Sequence, residues 1–107
     1  MARIVYSGTD FPPVYADVNA QQMEVTIGRQ SGNKIRMASN ALSRVHAKIV
    51  FQNGHYFLVD NNSSNGSYVN GTRVTNQEIH IGDKIRCGNV TFDFIDEPRG
   101  AAPMPPL

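Results

Sequence analysis

Three short polar clusters hold the residues of this chain whose side chains could bind an anion. They are Gly28-Arg29, Ser43-Arg44-Val45-His46 and Ser63-Ser64-Asn65-Gly66-Ser67. Arginine offers a planar fork of charged N–H donors, and serine hydroxyls and asparagine amides add neutral donors. None of the three clusters contains an acidic residue, whose charge would repel an anion. These residue types therefore favour the binding of a phosphate group or another small anion.

The positive charges are concentrated in the middle of the chain. No acid occurs between Glu24 and Asp60, and this stretch contains the following cations: Arg29, Lys34, Arg36, Arg44 and Lys48. The net charge of the whole chain is only +1, which gives no strong attraction for nucleic acid or an anionic membrane. A local positive field in a nearly neutral protein favours a small anionic ligand. An ordinary solvated face would give the same composition, so the charges alone leave both readings open.

The elements that must position these clusters are predicted to be strands. Apolar residues occupy every second position of one segment, which is typical of a half-buried strand: Val45, Ala47, Ile49 and Phe51. Asn53-Gly54 follows, and the apolar run 55–59 comes next. Because a type I′ turn needs positive φ at both central residues, Asn-Gly between two such runs predicts a hairpin. Residues 90–95 alternate in the same way and predict another strand.

Shorter segments predict further strands, and turn residues separate them. The chain start reads as a strand, and the other short candidates are Met23 to Ile27, Lys34 to Met37, Ser67 to Val69 and Glu78 to Ile81. No segment shows the three-to-four spacing of an amphipathic helix over ten residues. Many short strands with frequent turns predict an all-β sandwich.

Length and composition indicate one small domain. The chain has 107 residues, 40% of them apolar and 18% charged, which suits a compact folded protein. We expect residues 1–97 to form the domain. Residues 98–107 hold four of the six prolines, and they predict a linker or disordered tail that could lead to further domains. The single cysteine, Cys87, excludes an internal disulfide and favours a reducing, cytoplasmic compartment.

Enzymatic and metal-binding readings have little support. Ser43 and His46 could form a nucleophile and base, but no Gly-x-Ser-x-Gly elbow is present. The other histidines, His55 and His80, lie far from His46 without the spacing of paired metal ligands. No glycine-rich phosphate loop precedes a helix, and no apolar run is long enough to span a membrane. We therefore expect no enzyme activity, no cofactor, no metal and no membrane insertion.

The order and spacing of the polar motifs resemble the forkhead-associated (FHA) domain. Gly28-Arg29 is followed by Ser43-Arg-x-His, then by Ser63-x-Asn-Gly, and then by Tyr68-Val-Asn-Gly. Each motif is weak alone, but the ordered combination is specific, and the resemblance covers about residues 23–95. It implies an FHA-type β-sandwich of two twisted sheets, with about eleven strands and the ligand loops at one end. It also implies that these loops bind a phosphothreonine peptide.

The resemblance assigns a binding role to five residues. It implies that Arg29 contacts the phosphate, that Ser43 gives its hydroxyl to a phosphate oxygen, and that Arg44 adds a second cationic contact. Ser64 would lie at the phosphate or at the phosphothreonine backbone, and Asn65 would hold the adjacent peptide backbone. Without the family, Arg29 would read as a plain surface arginine and Ser43 as a turn cap.

Other positions are assigned to shaping the loops. The resemblance implies this role for Gly28, His46 and Gly66, with His46 as a hydrogen-bonded brace rather than a phosphate ligand. His46 is expected on the face opposite Val45 and Ala47. Ala41 stands where some family members have a charged residue that selects the third residue after the phosphothreonine. An alanine there predicts an apolar or weak preference.

The sequence therefore predicts a phosphothreonine-binding interaction module that acts in Ser/Thr kinase signalling or in regulated assembly. Its partner would be a threonine-phosphorylated protein, in trans or in the same chain, with a Ser/Thr protein kinase upstream. The alternative is a phospho-independent scaffold that uses a side surface of the same sandwich. A nucleic-acid partner is disfavoured, because no basic strip with interleaved aromatic residues is present.

Overall fold

Residues 2–96 are described by the computed structural model, and they form eleven β-strands and no helix. In chain order the strands are β1 Ala2–Tyr6, β2 Tyr15–Val18, β3 Glu24–Gly28, β4 Ile35–Arg36, β5 Ala47–Gln52, β6 His55–Asp60, β7 Ser67–Val69, β8 Thr72–Val74, β9 Asn76–Ile79, β10 Lys84–Cys87 and β11 Val90–Asp96. A six-stranded sheet has the order β2-β1-β11-β10-β7-β8, and a five-stranded sheet has the order β4-β3-β5-β6-β9. All pairs are antiparallel except β3 with β4.

One apolar core lies between the two sheets. Alternate residues of each strand point inward, so that Val25, Ile27 and Ile49 of the five-stranded sheet and Phe92 and Phe94 of β11 are fully buried in the same cluster. Burying one such side chain stabilises the fold by about 1.5–3 kcal/mol. The predicted all-β sandwich is confirmed.

The Asn-Gly pairs make the turns that the sequence predicts. Asn53 and Gly54 have φ values of 52° and 81° and connect β5 to β6, with Gln52 paired to His55. Asn70-Gly71 connects β7 to β8 in the same way, with Val69 paired to Thr72. Asn70-Gly71 follows the third polar cluster closely, but both turns connect neighbouring strands of a sheet.

Two details of the strand prediction are wrong. Val45 is 38% exposed, because β5 begins only at Ala47 and Val45 lies in a bend with Arg44. His46 and Ala47 are therefore both fully buried, and His46 does not lie on the opposite face. The last short candidate is shifted as well: β9 ends at Ile79, and Ile81 is 50% exposed. The chain turns there because Asp83 caps it, its carboxylate accepting the His80 N–H.

Three strand ends of the five-stranded sheet lie together at one end of the sandwich. Because β3 and β6 both run antiparallel to β5, the end of β3, the start of β5 and the end of β6 are neighbours. Three segments that contain most of the polar-cluster residues leave the sheet at this end: 29–34, 37–46 and 61–66. The β10–β11 turn lies beside them, since the Gly88 N–H donates to the Gly66 carbonyl. The predicted tail, 98–107, lies outside the described residues, which form no helix of the length and hydropathy needed to cross a bilayer.

Candidate functional site

The three polar clusters are joined by hydrogen bonds into one rim. The backbone N–H of Arg29 donates to the Ser43 carbonyl at 3.0 Å. The backbone N–H of Ser64 donates to the Ser43 hydroxyl oxygen at 3.1 Å. The Asn65 amide nitrogen donates to the Ala41 carbonyl at 2.8 Å. Residues that lie up to 36 positions apart in the sequence therefore share one surface at the end of the sandwich.

Gly28 allows the first two loops to meet. A Cβ atom at this position would lie 2.2 Å from the Arg44 carbonyl oxygen and 2.8 Å from the Asn33 amide nitrogen. Both approaches are shorter than any real Cβ contact, so only glycine fits here without moving the backbone. The loop-shaping role expected for Gly28 thus has a steric basis: its missing side chain sets the distance between the Arg29 loop and the Ser43 loop.

Arg29 is exposed and its guanidinium is held by one contact. Its Nε donates to the Leu42 carbonyl at 3.2 Å, and this fixes the direction of the side chain. Its terminal nitrogens make no hydrogen bond or ion pair with residues 2–96. A planar fork held at one nitrogen presents its remaining N–H groups to a ligand at little further entropic cost.

The hydroxyl of Ser43 has a defined direction. Because its oxygen accepts the Ser64 N–H, the hydroxyl hydrogen is left to donate away from the backbone. Asn65 is arranged in a similar way: its amide nitrogen is used by Ala41, and its amide oxygen accepts no hydrogen bond from residues 2–96. The rim thus offers a hydroxyl donor for an anion and an amide acceptor for a peptide N–H.

Arg44 and Ser64 both have exposed side chains on this rim. The Arg44 carbonyl accepts from the Gln30 N–H at 3.1 Å and from the Asn33 amide at 2.8 Å, which anchors its backbone. Within residues 2–96 its guanidinium makes no ion pair. Arg29 and Arg44 therefore add two positive charges to the rim.

His46 lies beneath the rim and braces it. The ring is fully buried, its Nδ1 accepts the Ser43 backbone N–H at 3.1 Å, and its Nε2 lies 2.8 Å from the Gly66 carbonyl oxygen. A carbonyl can only accept, so the proton is on Nε2 and the ring is neutral. His46 thus ties the second cluster to the third. Neither ring nitrogen is left to take a proton from the Ser43 hydroxyl.

Gly66 takes up a conformation that few other residues adopt. Its φ is 86°, and a Cβ there would lie 2.7 Å from Nε of Arg73. Its N–H donates to the Ser63 hydroxyl at 3.0 Å, while its carbonyl accepts from both His46 and Gly88. The glycine therefore closes the third loop and connects it to the β10–β11 turn.

Asp60, which none of the sequence motifs singled out, organises the third loop. Its carboxylate accepts the Ser63 hydroxyl and the Ser67 hydroxyl, both at 2.6 Å, and the Ser63 N–H at 2.9 Å. Burial alone would raise the pKa of the Asp60 carboxyl, but the hydrogen bonds from Ser63 and Ser67 outweigh it and hold the pKa below its usual value. The Asp-x-x-Ser spacing was the available signal, since an aspartate often accepts from nearby backbone N–H groups.

Asp60→Asn is expected to lower the free energy of unfolding by about 1–2 kcal/mol at pH 7. Because the folded pKa is depressed, the ionised carboxylate stabilises the fold fully above the unfolded value of 3.8, and this contribution is lost as the pH falls through the folded pKa. The gap between wild type and variant should therefore narrow as the pH falls below 3.8. Denaturant unfolding measured at several pH values tests this.

Asp93→Asn is the control for that experiment, because Asp93 makes an exposed ion pair with Lys84. Its expected cost is at most about 0.5 kcal/mol. A stability gap for Asp60→Asn that stays constant down to about pH 3, roughly one unit below the ordinary aspartate pKa, would contradict the role assigned to the carboxylate.

Cys87 has no reactive character. It is fully buried in β10. Burial raises the pKa of its thiol to about 12, although a hydrogen bond with Ser67 opposes the shift. The thiol is neutral at physiological pH and therefore a poor nucleophile. The described residues contain no cluster of three or more His, Cys, Asp or Glu side chains that could hold a metal ion.

A two-sheet β-sandwich with a cationic, acid-free rim of loops at one end is the architecture of a ligand-binding module. The chain belongs to the FHA domain family, whose model matches residues 25–88. This match covers more than half of the chain and includes all three polar clusters. The family expected from the motif order is thus confirmed.

The curated relatives that this chain resembles are longer proteins. It is 33% identical over 87 residues to the ABC transporter ATP-binding/permease protein Rv1747 of Mycobacterium tuberculosis, covering 78% of this chain and 10% of that protein. It is 34% identical over 74 residues to the oxoglutarate dehydrogenase inhibitor of Corynebacterium diphtheriae, covering 69% of this chain and 52% of that protein. The chain therefore spans from a tenth to about half of the length of these relatives.

Solved structures share the fold. The FHA-1 domain of Mycobacterium tuberculosis Rv1747 superposes with a TM-score of 0.70 at 27% identity, covering 88% of this chain and 93% of that chain. Mycobacterium tuberculosis EmbR, solved in complex with a low-affinity phosphopeptide, superposes with a TM-score of 0.73 at 29% identity. That match covers 88% of this chain and 24% of EmbR.

Proposed function

We propose that this domain binds peptides that carry phosphothreonine, and that it recruits threonine-phosphorylated proteins in Ser/Thr kinase signalling or regulated assembly. The observation that carries the proposal is the rim itself. Two arginines, an oriented serine hydroxyl and a polarised asparagine amide converge there, and no acid belongs to the three clusters. The complex of the related EmbR with a phosphopeptide supports the same ligand class.

The role we assign to each rim residue is supported by its position on the rim. Arg29 binds the phosphate through the nitrogens that Leu42 leaves available, and Ser43 donates its hydroxyl to a phosphate oxygen. Arg44 adds a second cation, which suits a group carrying a charge of about −1.5 to −2 at pH 7. Ser64 lies at the phosphate or the adjoining backbone.

Asn65 holds the peptide backbone. Its amide oxygen accepts a peptide N–H, and its amide nitrogen remains on the Ala41 carbonyl. Gly28, His46 and Gly66 support these contacts from behind, without touching the ligand. The partner is a phosphorylated protein in trans or a phosphothreonine of the same polypeptide, and the module itself is a regulatory binding protein of the cytoplasm rather than an enzyme.

The test is capture from an oriented phosphothreonine peptide library beside its unphosphorylated counterpart. Arg29→Ala removes one charge-assisted phosphate contact, which should weaken binding of a selected phosphopeptide by about 1.5–3 kcal/mol, roughly ten- to a hundredfold. Lys34→Ala is the matched control, because Lys34 is an exposed cation of the same loop that is assigned no contact. Its loss should change affinity by about twofold or less at physiological salt.

Phospho-dependent capture that is lost in Arg29→Ala would establish phosphothreonine binding and give the sequence preference of the site. Capture that is indifferent to the phosphate and to Arg29 would overturn the proposal. The ligand would then have to bind a side surface of the sandwich, as in a phospho-independent scaffold.

A further inference from the structure

A groove of about 260 Å³ lies beside the Arg29 loop, next to β4. The described residues that line it come from the β1–β2 loop, from β4 and from the segment after β4: Phe11, Pro12, Pro13, Val14, Arg36, Met37 and Ala38. Its volume is below the roughly 300–1,000 Å³ of small-molecule sites, and it suits a single large side chain.

The wall formed by the β1–β2 loop is preformed. The Tyr6 phenol oxygen accepts the backbone N–H groups of Asp10 at 2.9 Å and Phe11 at 3.2 Å, while the Tyr6 N–H donates to the Val14 carbonyl at 3.0 Å. Tyr6 is itself buried and packs edge-on against Phe11, with ring centroids 5.9 Å apart. Both ends of the lining segment 11–14 are thus fixed to one core residue, and binding in the groove costs little ordering of this wall.

The chemistry of the groove favours an aromatic side chain. Pro12 and Pro13 present carbon surface without N–H donors, and Met37 supplies a thioether, which packs well against ring edges. Arg36 provides a guanidinium that can stack on an aromatic face. None of the described residues that line the groove is acidic, so a basic side chain gains nothing there.

The groove is continuous with the rim. Nε of Arg36 donates to the Arg29 carbonyl at 3.0 Å, and the Met37 N–H donates to the Gly28 carbonyl at 3.0 Å. One wall of the groove is therefore hydrogen-bonded to the residue assigned to the phosphate. An extended peptide rises about 3.3 Å per residue, so about four residues on either side of the phosphothreonine span roughly 13 Å of surface in each direction.

We propose that this groove binds an aromatic side chain of the same peptide whose phosphothreonine occupies the rim. The proposal rests on the proposed phosphothreonine binding and adds a specificity pocket to it. This pocket is separate from Ala41, which does not line it and whose carbonyl accepts from the Asn65 amide. The ligand is then read at two points, by charge at Arg29 and by apolar burial between Pro13 and Met37.

The test uses synthetic peptides with one phosphothreonine in an alanine-serine background. A phenylalanine is placed in turn at each of about four positions on either side, and binding is measured by fluorescence anisotropy. At one position the phenylalanine should tighten binding about tenfold over alanine, the gain expected when roughly a third of its surface leaves water. Ala38→Phe, which fills the groove from an exposed position, should abolish this gain and leave the affinity for the all-alanine peptide unchanged.

Ala20→Phe is the matched control, because Ala20 is also exposed and lies away from the groove. It should retain the full preference for phenylalanine. Pro13→Ser is a second groove variant that removes apolar surface rather than adding it, and the preference should fall at least about threefold.

The outcomes separate the two proposals. If phosphopeptide binding depends on Arg29 but phenylalanine is preferred at no position, the proposed aromatic pocket is wrong and the proposed phosphothreonine binding stands. A preference that survives both Ala38→Phe and Pro13→Ser also overturns it. Failure of all phosphopeptides, or binding that ignores Arg29, overturns the proposed function itself.

Discussion

Replacing His46 by alanine is expected to destabilise the domain by about 3–5 kcal/mol, as for other large-to-small changes in a core that also remove buried hydrogen bonds. The ring is fully buried and makes two hydrogen bonds. Its removal leaves a cavity, takes the partner from the Ser43 N–H and takes one of two donors from the Gly66 carbonyl. Equilibrium denaturant unfolding measures the loss.

Two comparisons locate the origin of that effect. His80→Ala removes a ring that is 71% exposed and should cost about 0.5 kcal/mol or less. His46→Phe keeps most of the volume but neither ring nitrogen, and it should still cost about 2–3 kcal/mol because a buried N–H is left unpaired. A value for His46→Ala within about 1 kcal/mol of wild type would refute the brace, since an ordinary surface change costs no more than this.

Local signals were sufficient for the β5–β6 hairpin and its turn, whereas the short strands β2, β8 and β10 were not predicted. The alternation of residues 47–51 and the Asn53-Gly54 pair act over only a few residues, so the β5–β6 hairpin could be predicted without knowing the rest of the fold. The motif order also placed Arg29, Ser43 and Asn65 in three loops, and the structure brings those loops to one edge.

Features that depend on contacts distant in sequence could not be predicted. The alternation around Val45 predicted a buried residue. His46 is instead the buried residue, because its ring is hydrogen-bonded to the Gly66 carbonyl, and β5 begins only at Ala47. The groove beside Arg36 could not be predicted from the sequence either, because one of its walls is fixed by Tyr6, which lies 30 residues earlier in the chain. In both cases a tertiary hydrogen bond decides the local conformation, and a local pattern has no access to it.

Gly28→Ala is expected to cost about 3 kcal/mol or more, at the upper end of the range for overpacking. The added Cβ would meet the Arg44 carbonyl oxygen at 2.2 Å, and that oxygen belongs to backbone rather than to a flexible side-chain end. Relief requires the 28–30 segment to move away from the 43–44 segment. Such a movement breaks the hydrogen bonds from Arg29 to Ser43 and from Gln30 to Arg44.

The same movement should also damage the proposed binding site more than its cost in stability requires. Arg29 and Ser43 stand on the two segments that are forced apart, so Gly28→Ala should weaken phosphopeptide binding at least about tenfold even under conditions where the protein stays folded. Gly54→Ala is the control: its φ of 81° imposes strain, but its Cβ would meet nothing within 4 Å. Its cost should stay near about 1 kcal/mol, with unchanged binding. If Gly28→Ala were no worse than Gly54→Ala in unfolding and in peptide titrations, close approach of the two loops would not be what positions the rim.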